Sequence, residues 1–511
     1  MNKTPFIRQW GTCFSIPWYP IAFAVYPVLA LLAFNSGQVE ALAGLRALLA
    51  SVLLALLLFL ALWLVFKRPH RAAFLALLWL LLFFSYGHVF DLLRNAIPKL
   101  PPGPWLLFIW ALLFLLSAWW ASRPHLGFGG VTSSLNLIAL GLVAMSAVQA
   151  FSIRSSGSLH RAAAEKAPIQ ELQPARPLPD VYYFILDSYA RDDLLLQIYR
   201  YDNQPFLNAL KDRGFYVAEC SQSNYGRTEM SLSSSLNMQY LQELDSSFTP
   251  ENIGRSHLWD TLKHSAVRYN FESLGYKTVN FANGFDWIEL HDADEFLAPT
   301  PFTKGLTEFE GLFLRTTLAR PLADLGWVDA DAVLARTARD RFRLVFDSLE
   351  GLARDPAPTF AYIHLISPHP PFVFGPDGAP TSPADFWNAQ RRYPSNLYVK
   401  GYLNQLAYLN MQMEAGIDTI LQNSSSPPII ILQGDHGPWL QPKDKLFRIL
   451  NAYYLPGRSD KLYPGISPVN SFRLVFDEYF GGNYPLLEDR SYYSPVPNLY
   501  DFSEVAYPCE P

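Results

Sequence analysis

Five apolar runs fill the first third of the chain, near Pro17 to Phe34, Leu45 to Phe66, Ala72 to Leu92, Pro104 to Trp120 and Val131 to Phe151. Each approaches the ~20 residues that carry a helix across a bilayer. The first has too long an apolar core for a cleaved leader, and four more follow it. After about residue 178 the pattern changes. Short runs rich in β-branched and aromatic residues alternate there with longer amphipathic stretches. They predict strands at Val181 to Leu186, Phe215 to Ala218, Lys277 to Phe281, Thr359 to Ile366, Ile429 to Gln433 and Ile449 to Leu455. Helices are predicted at Asp192 to Asp212, Glu229 to Tyr240, Leu258 to Leu274, Ala330 to Ala353, Ser395 to Leu421 and Val469 to Phe480. That alternation predicts an α/β domain with a mostly parallel sheet covered by helices on both faces. Residues 153–178, with Ser, Ala, Arg and Pro and no sustained period, read as a tether. The expected organisation is a transmembrane domain over 1–152, a linker over 153–178 and an exported domain over 179–511.

Basic residues in the short loops set the expected orientation. Lys3 and Arg8 precede the first run, Lys67, Arg68 and Arg71 separate the second from the third, and Arg123 separates the fourth from the fifth. The alternate loops hold only Arg46, Arg94 and Lys99. The first set is therefore expected in the cytoplasm, and five spans place everything after Phe151 outside. Cysteine placement fits that arrangement: Cys13 falls on the inner side, while Cys220 and Cys509 fall in the exported half, where a disulfide is permitted. The net charge of −5 over 511 residues, with no basic block or basic-aromatic stripe, gives no case for a nucleic-acid partner.

The chemistry gathers at the ends of predicted strands. Val-Tyr-Tyr-Phe-Ile-Leu-Asp-Ser ends at Asp187 and Ser188, and Pro-Ile-Ile-Ile-Leu-Gln-Gly-Asp-His-Gly ends at Asp435, His436 and Gly437. In open α/β sheets ligands collect at the carboxyl edge, so the two sites are expected to meet in space. Two carboxylates and an imidazole suit a divalent cation. Taken singly, either aspartate reads as readily as a cap or turn residue. Between them, Ser221 to Asn237 runs through a glycine turn into a helix that begins near Thr228. That places a hydroxyl at helix N-terminal amides, either as an ordinary N-cap or as a nucleophile activated by a nearby cation. His364 and His369, in His-Leu-Ile-Ser-Pro-His-Pro-Pro-Phe, lie at the end of another predicted strand and suit phosphate contact or proton transfer.

With these elements in this order, the chain resembles the alkaline phosphatase superfamily. Within it, the plan is similar to the membrane-anchored sulfatase-like hydrolases and transferases, such as lipoteichoic acid synthases and lipid A phosphoethanolamine transferases. The specific parts are Asp-His-Gly at Asp435 to Gly437 and Asn-Tyr-x-x-Thr at Asn224 to Thr228, with weaker support from Ser-Pro-Val-Asn at Ser467 to Asn470. The resemblance implies Thr228 as the nucleophile that carries the phosphoryl group. It implies Asp187, Thr228, Asp435 and His436 around one divalent metal ion, Zn or Mn, with His369 at the phosphoryl group and His364 as the less secure second histidine. Arg227 has no family role, and its charge suits phosphate oxygens as well as a solvated face.

Three features depart from the relatives. The run from Cys220 to Arg227 lacks the Cys-x-Pro-x-Arg of formylglycine sulfatases. Asp187 stands where these transferases usually carry Glu. No histidine follows Gly437, so a ligand for a second metal is missing. The resemblance implies a multi-pass inner-membrane enzyme that moves a phosphoryl-linked group from a lipid or lipid-linked donor to a cell-envelope glycan or lipid. A phosphoester hydrolase, or less readily a sulfoester hydrolase, and a catalytically silent envelope scaffold are the competing readings.

Overall fold

The computed structural model divides the chain into two compact units, residues 1–155 with 306–330, and residues 156–305 with 331–511. The structure describes residues 15–35, 44–97, 104–123, 128–152, 172–173, 177–252, 254–285, 287–299, 308–321, 330–381, 396–438, 443–496 and 498–506. Lys3, Arg8, Cys13, Lys99, Cys509 and most of the expected tether lie outside them.

The first unit contains five apolar helices, α1 (Tyr19–Phe34), α2 (Leu45–Phe66), α3 (Pro69–Ala96), α4 (Pro104–Ser122) and α5 (Gly129–Ser152). By length and composition α2 to α5 are each able to cross a membrane, while α1 is a shorter apolar helix of 16 residues. Polar contacts tie one end of this bundle. Asn136 accepts from the Tyr19 amide at 3.0 Å and donates to the Ile16 carbonyl at 2.8 Å, which satisfies backbone groups at the start of α1. Arg71 donates to the carbonyls of Ser122 and Arg123, where α4 ends. The opposite end receives a segment from far along the chain. A short helix, Glu308–Thr316, buries Phe309 and Phe313 among residues of α1, α2 and α3. Glu310 accepts from Arg46 at 2.6 Å, Arg320 pairs with Asp91 at 2.9 Å, and the Leu318 amide donates to the Phe83 carbonyl at 2.8 Å. Gly87 permits this docking, because a Cβ there would lie 2.1 Å from the Arg315 carbonyl oxygen. No predicted element covers Ala282 to Arg320, yet its last part is built into the helical unit.

The second unit is built on a seven-stranded sheet of β1 (Val181–Leu186), β2 (Tyr216–Val217), β3 (Lys277–Phe281), β4 (Glu295–Leu297), β5 (Thr359–Leu365), β6 (Ile429–Gly434) and β7 (Asn451–Tyr454). Its order is β2-β7-β6-β1-β5-β3-β4. The five strands from β6 to β4 run parallel, and β7 and β2 complete one edge antiparallel. All six residues of β1 are buried, as expected of a central parallel strand covered on both sides. Tyr182, Phe184 and Leu186 face a core shared with helices α6 (Asp192–Tyr199), α7 (Gln204–Asp212), α11 (Ala330–Ala353) and α12 (Asn396–Asn423). Val181, Tyr183 and Ile185 face α8 (Thr228–Asn237), α10 (Ala266–Ser273) and α13 (Pro468–Phe480). A further helix, α9 (Ser256–Lys263), packs its Leu258 and Trp259 beside the turn that leads into α8.

Two long predicted helices are split. Arg200 turns left-handed at φ 56° and separates α6 from α7. Ser265 caps α10 by accepting from the Arg268 amide, which separates it from α9. A small hairpin, β8 (Ser491–Tyr493) with β9 (Ser503–Val505), lies outside the predicted strands. Cys220 is disulfide-bonded.

Candidate active site

Adjacent parallel strands place Asp187 and Asp435 side by side. Leu186 and Gly434 are register partners, so the residues that follow them leave the sheet together. Ser188 then turns left-handed at φ 62° and donates its amide to Asp435 Oδ1 at 3.0 Å. Its hydroxyl donates to Asp187 Oδ1 at 3.2 Å, and its carbonyl accepts from Tyr402 at 2.9 Å. A single residue thereby aligns both carboxylates. Sequence reading assigned it no role, since a serine after a strand-end aspartate has no distinctive spacing.

Asp435 is fully buried, with Oδ1 also accepting from the His436 amide at 2.9 Å and Oδ2 without a hydrogen-bond partner. His436 Nδ1 lies 2.7 Å from the Gly437 carbonyl, which can only accept, so Nδ1 carries a proton and Nε2 presents its lone pair. Gly437 fits because a Cβ there would crowd the carbonyls of Lys445, Leu446 and Arg448 at 3.0–3.2 Å. His436 Nε2 points into the site, 3.5 Å from Asp435 Oδ2, 3.8 Å from Asp187 Oδ1 and 3.3 Å from Thr228 Oγ1. Burial disfavours the charged imidazole, but Asp435, Asp187, the Gly437 carbonyl and Glu229 outweigh it and raise its pKa. Burial likewise opposes ionisation of Asp187, yet His369, His364 and His436 hold its carboxyl well below the usual carboxylate range.

Thr228 is the first residue of α8, and Arg227, in extended conformation, occupies the N-cap without a side-chain capping bond. The Thr228 hydroxyl is therefore not the cap; it is half-buried and faces His436. Behind it, Asn224 accepts from the Val469 amide at 2.8 Å and donates to Ser467 Oγ at 3.0 Å and the Arg490 carbonyl at 2.9 Å. The Asn-Tyr-x-x-Thr and Ser-Pro-Val-Asn motifs thus meet, one holding the other, and Tyr225 anchors the same turn by accepting from the Leu241 amide at 2.8 Å. Ser231 is buried with its hydroxyl unpartnered, and Ser233 donates to the Leu258 carbonyl at 2.9 Å.

His369 is half-buried; its amide donates to the Asp187 carbonyl at 3.0 Å, and its own carbonyl accepts from Gln405 at 3.0 Å. Its Nδ1 lies against the Pro370 carbonyl, which leaves Nε2 for a ligand. His364 lies within β5 with a fully buried side chain, and its Nε2 is 3.5 Å from Asp187 Oδ2. Arg227 is half-buried, and burial lowers its pKa against the pull of Glu229. Arg255 approaches the buried Glu229 at 3.3 Å and adds a second guanidinium beside the start of α8. No local sequence signal marks Arg255, because only the fold of α9 brings it there.

The spacings can accommodate a divalent cation. The distances of 3.3, 3.5 and 3.8 Å from His436 Nε2 to Thr228, Asp435 and Asp187 exceed ordinary hydrogen bonds. The two shorter ones match, and the third slightly exceeds, the edges of roughly 3.3–3.5 Å that a tetrahedron with ~2.1 Å metal bonds would have. Asp187, His364 and Asp435 also present ligand atoms within 4.8 Å of one another. Oxygen and nitrogen donors without a thiolate suit a borderline divalent ion.

Residues 179–469 match the Sulfatase family model. The chain belongs to the sulfatase family, within the alkaline phosphatase superfamily. No curated protein matches the chain. Similar solved structures include the C-terminal periplasmic domain of EcEptC from Escherichia coli in complex with Zn, at 13% identity and TM-score 0.43, over 66% of this chain and 96% of that one. The integral membrane lipooligosaccharide phosphoethanolamine transferase A (EptA) from Neisseria meningitidis is similar over 89% of this chain and 94% of its own, at 12% identity and TM-score 0.37. The phosphonate monoester hydrolase of Agrobacterium radiobacter is similar at 14% identity and TM-score 0.36, over 62% of this chain and 80% of that one.

Proposed function

We propose that the protein is a metal-dependent transferase of the inner membrane that moves a phosphoryl-linked group through Thr228 from a lipid or lipid-linked donor to an envelope glycan or lipid. The observation that carries this reading is the Thr228 hydroxyl, which is not used as a helix cap and stands 3.3 Å from His436 Nε2 at the edge of the paired carboxylates. The apolar helices support a donor taken from the membrane, since a soluble esterase has no use for them. Asp187, Asp435 and His436 would hold one divalent ion, Zn or Mn, which when bound lowers the Thr228 hydroxyl pKa and offsets charge on the phosphoryl oxygens.

The remaining chemistry falls to the chain itself. Thr228 Oγ1, its proton released to solvent beforehand, attacks phosphorus in line, an Oγ1–P bond forms, and the bond from phosphorus to the leaving oxygen breaks. The α8 amides and Arg227 face the transferred group, where their positive ends oppose its negative charge. His369 Nε2 protonates the leaving oxygen in the first half-reaction; in the second it takes the proton of the acceptor hydroxyl, whose oxygen bonds phosphorus as the Oγ1–P bond breaks and returns Thr228 as the alkoxide. His436 keeps its lone pair aimed at the site because its Nδ1 proton is committed to Gly437. The test is the mass of the tryptic peptide bearing Thr228 after purification from the native membrane and rapid acid quench. A phosphoryl-linked adduct on Thr228 is expected, and an adduct confined to another residue would overturn the assignment.

A further inference from the structure

Within β5, His364 is the register partner of Ile185, which pairs in turn with Gln433 on β6. It shares the sheet face of Phe360 and Tyr362, one row below Asp187 and Asp435. Its side chain is fully buried, so it cannot meet a substrate that enters from solvent. Neither ring nitrogen has a hydrogen-bond partner, and Asp435 Oδ2, in the row above, has none either. Buried polar atoms in native proteins are nearly always satisfied, and unsatisfied donors and acceptors that converge on one point call for a shared partner. That partner is not Asp187 alone, because the 3.5 Å from His364 Nε2 to Asp187 Oδ2 is too long for a good hydrogen bond. It does fit an edge of the same coordination polyhedron that Asp187, Asp435 and His436 outline.

We infer that His364 is a direct ligand of the divalent ion, through Nε2, from the protein-interior side. The inference rests on the proposed metal centre and changes its make-up. The ion has two imidazoles, His436 and His364, on different sides of the Asp187–Asp435 pair. Thr228 then joins a set already filled by four protein side chains and is free to exchange between the ion and phosphorus. Asp187 serves both halves, with Oδ1 toward His436 and Oδ2 toward His364. A purely positioning histidine would instead hydrogen-bond a carboxylate and leave the ion one imidazole.

Zinc-edge X-ray absorption on the full-length protein in detergent counts coordinated imidazoles by their multiple-scattering pattern, without any need for turnover. Two are expected in the wild type and in His369→Gln, and one in His364→Gln. Zinc affinity, measured by competition with a chelator, is expected to fall more than ~100-fold in His364→Gln, beyond the 10–100-fold typical of residues that only support a ligand. If His364→Gln fails to fold, the His369→Gln protein decides alone, since His364 and His436 are then the imidazoles left to count. One imidazole there, or an unchanged count in folded His364→Gln, overturns the inference and leaves the metal centre standing. A wild type that retains no zinc after dialysis overturns both.

Discussion

Asp180, just before β1, sits at the opposite end of the central strand from the site and offers a test of the fold's electrostatics. Its Oδ1 accepts from the Thr359 amide at 2.9 Å, and its carbonyl accepts from the Ile429 amide at 2.8 Å, so it joins β1 to both neighbours. Burial raises its pKa from 3.8 to about 6; the Thr359 hydrogen bond opposes the shift and nearby Asp355 adds to it. Because the folded value exceeds the unfolded one, the native state holds more protons between these two values. Stability is therefore present below pH ~4 and lost as pH rises through ~6. A shift of about two units corresponds to ~3 kcal/mol at full ionisation, reduced to ~2 kcal/mol by residual solvent screening.

Asp180→Asn keeps an oxygen for the Thr359 amide and removes the charge. The mutant is expected to exceed the wild type by less than ~1 kcal/mol near pH 4.5 and by about 2 kcal/mol at pH 7.5, or roughly 3 °C in Tm for a unit of this size. The assay is the difference in thermal midpoint between the two proteins in detergent, followed by tryptophan fluorescence across that pH range. The difference cancels the titration of every other carboxylate. A gap that does not grow between pH 4.5 and 7.5, or one of opposite sign, would refute the reasoning.

Three further outcomes are expected. Thr228→Ala should retain fold and most metal yet lose turnover by several orders of magnitude. Ser231→Ala, which loses no hydrogen bond, and Ser233→Ala, which loses one to Leu258 at a cost of about 1 kcal/mol of stability, should each stay within about tenfold of wild-type activity. Asp435→Ala and His436→Ala should each lose bound metal by elemental analysis, and full occupancy in both would remove the site as drawn. Reporter fusions after Lys67 and after Arg154 should fall on opposite sides of the membrane, and the same compartment for both would overturn the span count or the orientation.

How much was readable in the chain depended on whether the signal was local. The runs at Val181, Lys277, Thr359 and Ile429 became strands because continuous β-branched and aromatic residues bounded by Pro, Gly or Asp admit little else when buried on both faces. Strands of three residues, such as Glu295–Leu297, carry too short a pattern to be seen. Helix breaks at Arg200 and Ser265 escaped because the apolar period runs through them; a left-handed residue and a capping serine decide there, and both act at single positions. At the site, the strand-end Asp and His residues announced themselves by position, and the hydroxyl of Thr228 by the glycine turn before it. Ser188, Glu229 and Arg255 matter only through three-dimensional neighbours, Asp435 for the first and each other for the last two.

The helix Glu308–Thr316 also acts as a compass. Whatever side of the membrane holds this helix must also hold the start of α2, where Arg46 meets Glu310, and the end of α3, where Asp91 meets Arg320. The ends of the bundle marked by Arg71 and Asn136 then face the other way. Two ion pairs thus record which ends of the bundle lie together with this helix. Charge reversal at Glu310 alone would set two positive groups against each other at the first pair and leave the second intact.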